Sequence, residues 1–347
     1  MLNIEEEIME SGEETIEPKK SNVWVIVSII ILAVAILGAV GWWWSKNKNS
    51  RTNISSTSTT ENTTTIKDNW TRSPDIIMKN TTSTSTLKLD DGTLRMYLMK
   101  DGKIVYAESK DGRSFDIDTS TGVTEDSGKI ISNPAVLKIT NGNWIMIFEQ
   151  APMKAPGEKE GIPGSKNQRN LYLSTSTDGK RFSKIGVAID SAKDDNYFAS
   201  VPDLILLPDG KIRMYYVCGG EATCSAISAD GKSWTKEADI RLGERAVDPD
   251  VLLNSKNGQT KYIMYFSVLT GADNKLYKAT SDDGLVWKKG DVVISPTSNI
   301  HTVVDPDVVK ISDNKYYMYF GEAKEGGLGG TPGEFNVYLA EMSSDIF

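Results

Sequence analysis

The chain has 347 residues, with 47 acidic against 39 basic side chains and a formal net charge of −8. Such a balance leaves no basic face for a phosphate backbone, so a nucleic-acid partner is not expected. One histidine and two cysteines also argue against a His-rich metal site and a cysteine-dense scaffold.

In chain order, residues 1–21 are acidic and polar, with Glu5, Glu6, Glu7, Glu13 and Glu14, and read as a disordered cytoplasmic tail. Residues 22–45 hold the run VWVIVSIIILAVAILGAVGWWW, long enough for a single transmembrane helix that needs about 20 apolar residues. Trp42, Trp43 and Trp44 suit its interfacial end. A cleaved signal peptide fits less well, because the run is long and no small-x-small site follows it. Basic residues lie on both sides, Lys19 and Lys20 before and Lys46, Lys48 and Arg51 after, so charge does not set the orientation. Residues 46–65 are a Ser/Thr/Asn-rich linker with sequons at Asn53 and Asn62, and a third follows at Asn69. Cys218 and Cys224 flank a Gly-Gly turn, where they form either a disulfide or two buried thiols. Sequons and cysteines together favour a single-pass protein with its C-terminal domain extracellular.

From residue 66 to 347 one phrase repeats: an aliphatic strand, a Tyr-rich strand, a third strand, then Ser-x-Asp-Gly-x-x-aromatic. The last part reads SKDGRSF at 109–115, STDGKRF at 176–182, SADGKSW at 228–234 and SDDGLVW at 281–287, with SSDIF at 343–347. Four short strands per repeat predict an all-β, five-bladed β-propeller. In the 200–240 repeat the strands fall on VPDLILL, KIRMYYV, SAISA and the region of ADIRL. The fifth repeat stops after three strands. Trp70 precedes Asp75-Ile76-Ile77 by the offset that separates Trp234 from Asp239-Ile240, so the N-terminal strand should complete the last blade and seal the ring.

This topology puts the Ser-x-Asp-Gly boxes on the lower face, where each makes a tight turn and packs its aromatic between blades. Sialidases carry similar boxes, but no arginine cluster suited to a sialic carboxylate is evident. On the upper face the first strands open with Asn133-Pro134-Ala135, Val201-Pro202-Asp203, Asp248-Pro249-Asp250 and Asp305-Pro306-Asp307. Several carboxylates then share one enclosed volume, and at least one pKa must rise. Second strands end on the same face and deliver Glu149, Glu221 and Glu322; His301 lies just ahead of Asp305. Asp-Pro is also an ordinary turn dipeptide, so each aspartate has a structural alternative.

The segments PDLILLPDGKIRMYYV, DPDVLL with KYIMYFS, and DPDVVKI with KYYMYFGEA resemble five-bladed propeller glycoside hydrolases of the arabinanase, xylosidase and invertase type. The resemblance spans about residues 66–347. It implies that Asp248 and Asp305 act as base or nucleophile and that Asp203 tunes or orients the acid. Glu149 and Glu322 are the candidate proton donors, and Asp250, Asp307, Asn133, Glu221 and His301 the candidate substrate contacts. Two features depart from the pattern: the first blade reads TSTLKL at 84–89 and supplies no acid, and no glutamate begins an inner strand. The expected function is a membrane-tethered, carbohydrate-active propeller of glycosidase type, with oligo- or polysaccharide as partner and no cofactor or metal assigned. The alternative is a non-catalytic glycan- or protein-binding surface module.

Overall fold

The computed structural model describes residues 69–153, 167–256, 258–270, 273–297, 302–323, 335–344 and 346. The tail, apolar run and linker expected over 1–65 lie outside these residues, as does His301. Among the described residues no helix is long and apolar enough to cross a membrane.

Five four-stranded antiparallel sheets make the blades of a propeller. The chain enters on β1 (Thr71–Lys79) and then builds the first blade from β2 (Ser85–Lys88), β3 (Leu94–Lys100), β4 (Lys103–Ser109) and β5 (Asp116–Thr124). The second blade is β6 (Lys129–Lys138), β7 (Trp144–Pro152), β8 (Asn170–Ser176) and β9 (Ser183–Ile189). A short helix, α1 (Ser191–Asp194), leads to the third: β10 (Ala199–Leu206), β11 (Ile212–Cys218), β12 (Ala222–Ser228) and β13 (Thr235–Lys236). The fourth is β14 (Ala246–Lys256), β15 (Gln259–Val268), β16 (Lys275–Ser281) and β17 (Lys288–Ile294). The fifth has β18 (Thr302–Ser312), β19 (Lys315–Ala323) and β20 (Asn336–Met342), and β1 pairs antiparallel with β20 as its outermost strand. The N-terminal strand therefore seals the ring, as the Trp70 offset predicts.

The second strands run almost wholly buried, as IRMYYVC in β11 and KYYMYFGEA in β19 show, because each is covered by the neighbouring blade on both faces. The box turns hold these faces together. In each of the four complete boxes the Asp Oδ1 accepts the main-chain amides two and three residues on, as Asp178 does from Lys180 at 2.7 Å and Arg181 at 2.9 Å. In three of the four the box glycine then meets a tyrosine of another blade, while Gly231 faces Ile145 and Ile212. Tyr97 donates to the Gly179 carbonyl at 2.6 Å, Tyr215 to Gly284 at 2.8 Å and Tyr319 to Gly112 at 2.8 Å. Box aromatics pack edge-on against the same tyrosines, with Phe182 on Tyr97, Trp287 on Tyr215 and Phe115 on Tyr319.

One strand differs from expectation. The sequence predicts the third blade's outer strand around Ala238–Leu242, yet the ladder holds only Thr235–Lys236, with an isolated bridge from Leu242 to Thr223. Asp239 has φ +65°, and the Arg241 guanidinium donates to the Ala238 and Asp239 carbonyls, taking main-chain acceptors that a ladder would need.

Candidate functional site

The five inner strands begin around a central cavity of about 160 Å³. Each carries, within the strand or just before it, a residue of positive φ: Ser83 (+51°) ahead of β2, Asn133 (+51°), Val201 (+42°), Asp248 (+54°) and Asp305 (+53°). In four blades this residue sits in a register shift between the first two strands. Such a bulge turns a side chain toward the axis, and Asn and Asp tolerate the left-handed conformation it requires. The Ser83–Asp305 set forms an upper tier. Two residues on, Ser85, Ala135, Asp203, Asp250 and Asp307 form a lower tier, each paired with the same position of its second strand.

The lower tier links neighbouring blades. Ser85 Oγ accepts the Val136 amide at 3.0 Å, Asp203 Oδ2 the Val251 amide at 2.8 Å, and Asp250 Oδ2 the Val308 amide at 3.2 Å. Asp307 carries the links across to the first blade, taking the Thr86 amide at 3.0 Å and the Thr84 and Thr86 hydroxyls at 2.6 Å each, whereas Ala135 gives the second blade no such link to the third. Burial pushes these carboxyls up: Asp203 to about 7 against the Val251 and Leu204 amides, and Asp250 well above the ordinary range, with Asp203 and Asp307 adding repulsion. Asp307 also rises through burial, opposed by its threonine bonds.

The upper tier is chemically different. Asp248 is 8% exposed, and burial together with the Asp305 charge raises it to about 8. The buried Ser267 hydroxyl lies beside Asp248 and opposes that rise. Asp305 Oδ2 accepts the Thr82 hydroxyl at 2.7 Å and the Ser83 hydroxyl at 2.6 Å. Burial raises Asp305 too, those two hydroxyls oppose the rise, and Glu149 adds a like charge. Asp248 and Asp305 thus form a coupled pair that retains a proton near neutral pH. Such a pair can supply one carboxylic acid and one carboxylate.

Glu149 is fully buried, paired with Arg169, and accepts from Asn133 Nδ2 at 2.7 Å and from the Ser200 hydroxyl. Its lone pairs are thus engaged within the protein. Glu322 is likewise buried and paired with Arg72 of β1, whose guanidinium also lies over Phe320. Glu221 is exposed on the hairpin turn between β11 and β12 and does not line the cavity. The structure therefore gathers Asp203, Asp248, Asp250, Asp305, Asp307 and Asn133 around one channel, with Glu149 electrostatically close to Asp305. Sequence reasoning missed Arg169, Thr82, Ser83 and Ser267. Only Ser83 carried a signal, its offset of two from the Ser85 strand start.

Cys218 and Cys224 form a disulfide with a Cα–Cα separation of 5.7 Å. Among the described residues, one group of three potential metal ligands occurs, Asp195 with these cysteines. Both sulfurs are bonded to each other, and Asp195 is held by Lys236 and by the Tyr216 hydroxyl, so the group does not serve as a metal centre in this state.

No family model and no curated relative matches this chain. Solved structures do. An α-L-arabinofuranosidase from Lactobacillus brevis superposes with a TM-score of 0.59 at 14% identity, covering 76% of this chain and 91% of that one. A thermostable family-43 glycoside hydrolase gives 0.57 at 14% identity over 77% and 91%. A GH130 protein, from a family of mannoside phosphorylases that contains glycoside hydrolases targeting β-1,2 mannosidic linkages in Candida mannan, gives 0.51 at 16% identity over 75% and 84%. At these identities the likeness defines the fold: a five-bladed propeller of the kind found in glycoside hydrolases.

Proposed function

We propose that the upper face is a carbohydrate site of glycosidase type, with Asp248 and Asp305 as its acid and base. The observation that carries this reading is the Asp248–Asp305 pair at adjoining positions of the upper tier: burial and the Asp305 charge raise Asp248 to about 8, while Asp305 is held by two hydroxyls. Asp248, with the higher pKa and the less bonded carboxyl, donates a proton to the departing glycosidic oxygen. Asp305, whose charge is stabilised by two hydroxyls, activates water or attacks the anomeric carbon. Water then supplies hydroxyl to the sugar and restores the proton to the pair. In this assignment Glu149 and Glu322 orient the mouth through their arginines, and the lower-tier Asp203, Asp250 and Asp307 hold the inner strands. The domain is tethered through residues 22–45 and displayed outside the cell; the Cys218–Cys224 disulfide, the sequons and the apolar run support that placement.

One observation favours a binding module instead. At the positions equivalent to Asp248 and Asp305, the first three blades carry Ser83, Asn133 and Val201. Release of reducing sugar by the full-length protein from furanoside and pyranoside substrates decides between the two. Hydrolysis supports the enzyme; glycan binding without hydrolysis, weakened in Asp305→Asn, supports the module.

A further inference from the structure

The strand that closes the ring is the first part of the propeller to be synthesised and the last to meet its partner. β1 pairs with β20, and the amide of Asn80, just past the end of β1, donates to Asn336 Oδ1 at 3.1 Å across 256 residues of chain. At about 5–20 residues per second, roughly 10–50 s separate the synthesis of these two positions, and until then β1 has no ladder to join. An unpaired strand is extended, accessible chain.

This strand carries a motif at each end. Asn80-Thr81-Thr82 is a sequon, as is Asn69-Trp70-Thr71. With Asn53 and Asn62 these make four, all within the first 82 residues, whereas none of the twelve asparagines from Asn133 onward stands in one. Acceptors are thus confined to the part of the chain that precedes the first complete blade.

The folded domain leaves Asn80 open and closes over the rest of its motif. Asn80 is exposed, in the left-handed conformation that asparagine tolerates (φ +58°), and lies beyond the last ladder pair, Lys79 with Asn336. Thr81 is anchored, its amide to the Phe335 carbonyl at 3.0 Å and its hydroxyl to the Met99 carbonyl at 3.2 Å. Thr82 donates its hydroxyl to Asp305 at 2.7 Å and packs so closely on Gly321 that a Cβ there would strike its Oγ1. The same threonine therefore completes the motif in the open chain and holds a mouth carboxylate in the closed one. Three residues span at most about 11 Å, which keeps Asn80 beside Ser83 at the channel mouth.

We propose that Asn80 is an N-glycosylation site, modified before the ring closes and carrying its oligosaccharide at the rim of the upper face. The donor is a lipid-pyrophosphate-linked oligosaccharide. Asn80 Nδ2 bonds to the anomeric carbon and gives up one proton, the bond from that carbon to the phosphate oxygen breaks, and the lipid pyrophosphate leaves with the electron pair. A bulky, hydrophilic group suits an exposed turn and does not interrupt β1. This inference rests on the proposed exterior placement of the domain and is independent of the hydrolase reading.

The test is mass spectrometry of the full-length protein made in a eukaryotic secretory host. Trypsin places Asn80 alone in peptide 80–88, and Asn53 with Asn62 in peptide 52–67. Peptide N-glycosidase in heavy-oxygen water converts each glycosylated asparagine to labelled aspartate. Peptide 80–88 should carry the label, Thr82→Ser should keep it, and Thr82→Val should lose it while 52–67 stays labelled. Asn80→Asp, which suits the same backbone conformation, should migrate faster on a gel by one glycan. Label in 52–67 but not in 80–88 overturns the Asn80 site and leaves the exterior placement standing. Label that persists in Thr82→Val is spontaneous deamidation, and the site again falls. No label in either peptide overturns both the site and the placement.

Discussion

Asp307 of the fifth blade accepts both the amide and the hydroxyl of Thr86 in the first, at 3.0 and 2.6 Å, across the seam where the propeller closes. Replacing Asp307 with Ala leaves that amide and the Thr84 and Thr86 hydroxyls without their acceptor. At about 1–3 kcal/mol for each buried group left unpaired, the loss should reach about 3 kcal/mol or more in urea unfolding. Asp307→Asn keeps an acceptor for the amide and should cost much less. Equal costs for the two would show that the clasp does not hold the seam.

Stability should fall as pH rises. Asp248 and Asp203 are raised by burial to about 8 and about 7, so between about pH 4 and pH 8 the folded state keeps protons that the unfolded chain has lost. The stabilisation is complete below the unfolded pKa and is lost through the folded values. The melting temperature of wild type should therefore drop from pH 5 to pH 8, and Asp248→Asn should flatten the drop. A melting temperature that climbs over this range would contradict the raised carboxyls.

Gly179 and Gly142 both have positive φ, but only Gly179 is crowded: a Cβ there would meet Trp144 at 2.7 Å, whereas Gly142 faces open space. Gly142→Ala should cost about 1 kcal/mol from backbone strain alone, and Gly179→Ala clearly more, as it also displaces the box turn that Tyr97 grips. Chemical denaturation of the two variants side by side checks this ordering.

Much of the fold was legible because the blade repeat is local. Each strand, the box turn and the closing offset of Trp70 fall within one stretch of sequence. What crosses blades was not legible. Asp203, Asp250 and Asp307 stand beside Pro in the sequence, as Asp248 and Asp305 do, yet the bulge sends the two sets to different tiers, and their partners Val251, Val308 and Thr86 lie one blade away. Glu149 looked like a free acid at a strand end because its partner Arg169 belongs to the next strand's approach and carries no motif. The first blade lacks Pro at its inner start, which hid Ser83 as the equivalent of Asp305. The outer strand of the third blade falls elsewhere than ADIRL suggests because hydrophobic content does not reveal that the Arg241 guanidinium occupies the Ala238 and Asp239 carbonyls.

Deleting residues 66–78 removes most of β1, exposes the edge of β20 and leaves Glu322 buried without Arg72. Orphaning a buried charge costs about 3–5 kcal/mol, so this truncation should unfold far more readily than deletion of 49–62. Limited proteolysis of the two proteins compares them; equal resistance would refute the closing role of β1.

The division of labour between Asp248 and Asp305 is tested most directly by comparing turnover on an activated aryl glycoside with turnover on the corresponding unactivated oligosaccharide. A good leaving group needs no proton, so Asp248→Asn should retain most activity on the aryl substrate and lose about 100-fold or more on the oligosaccharide, while Asp305→Asn should fail on both. Equal losses on the two substrates in Asp248→Asn, or no turnover of either by wild type, would contradict an acid–base pair at the mouth of this propeller.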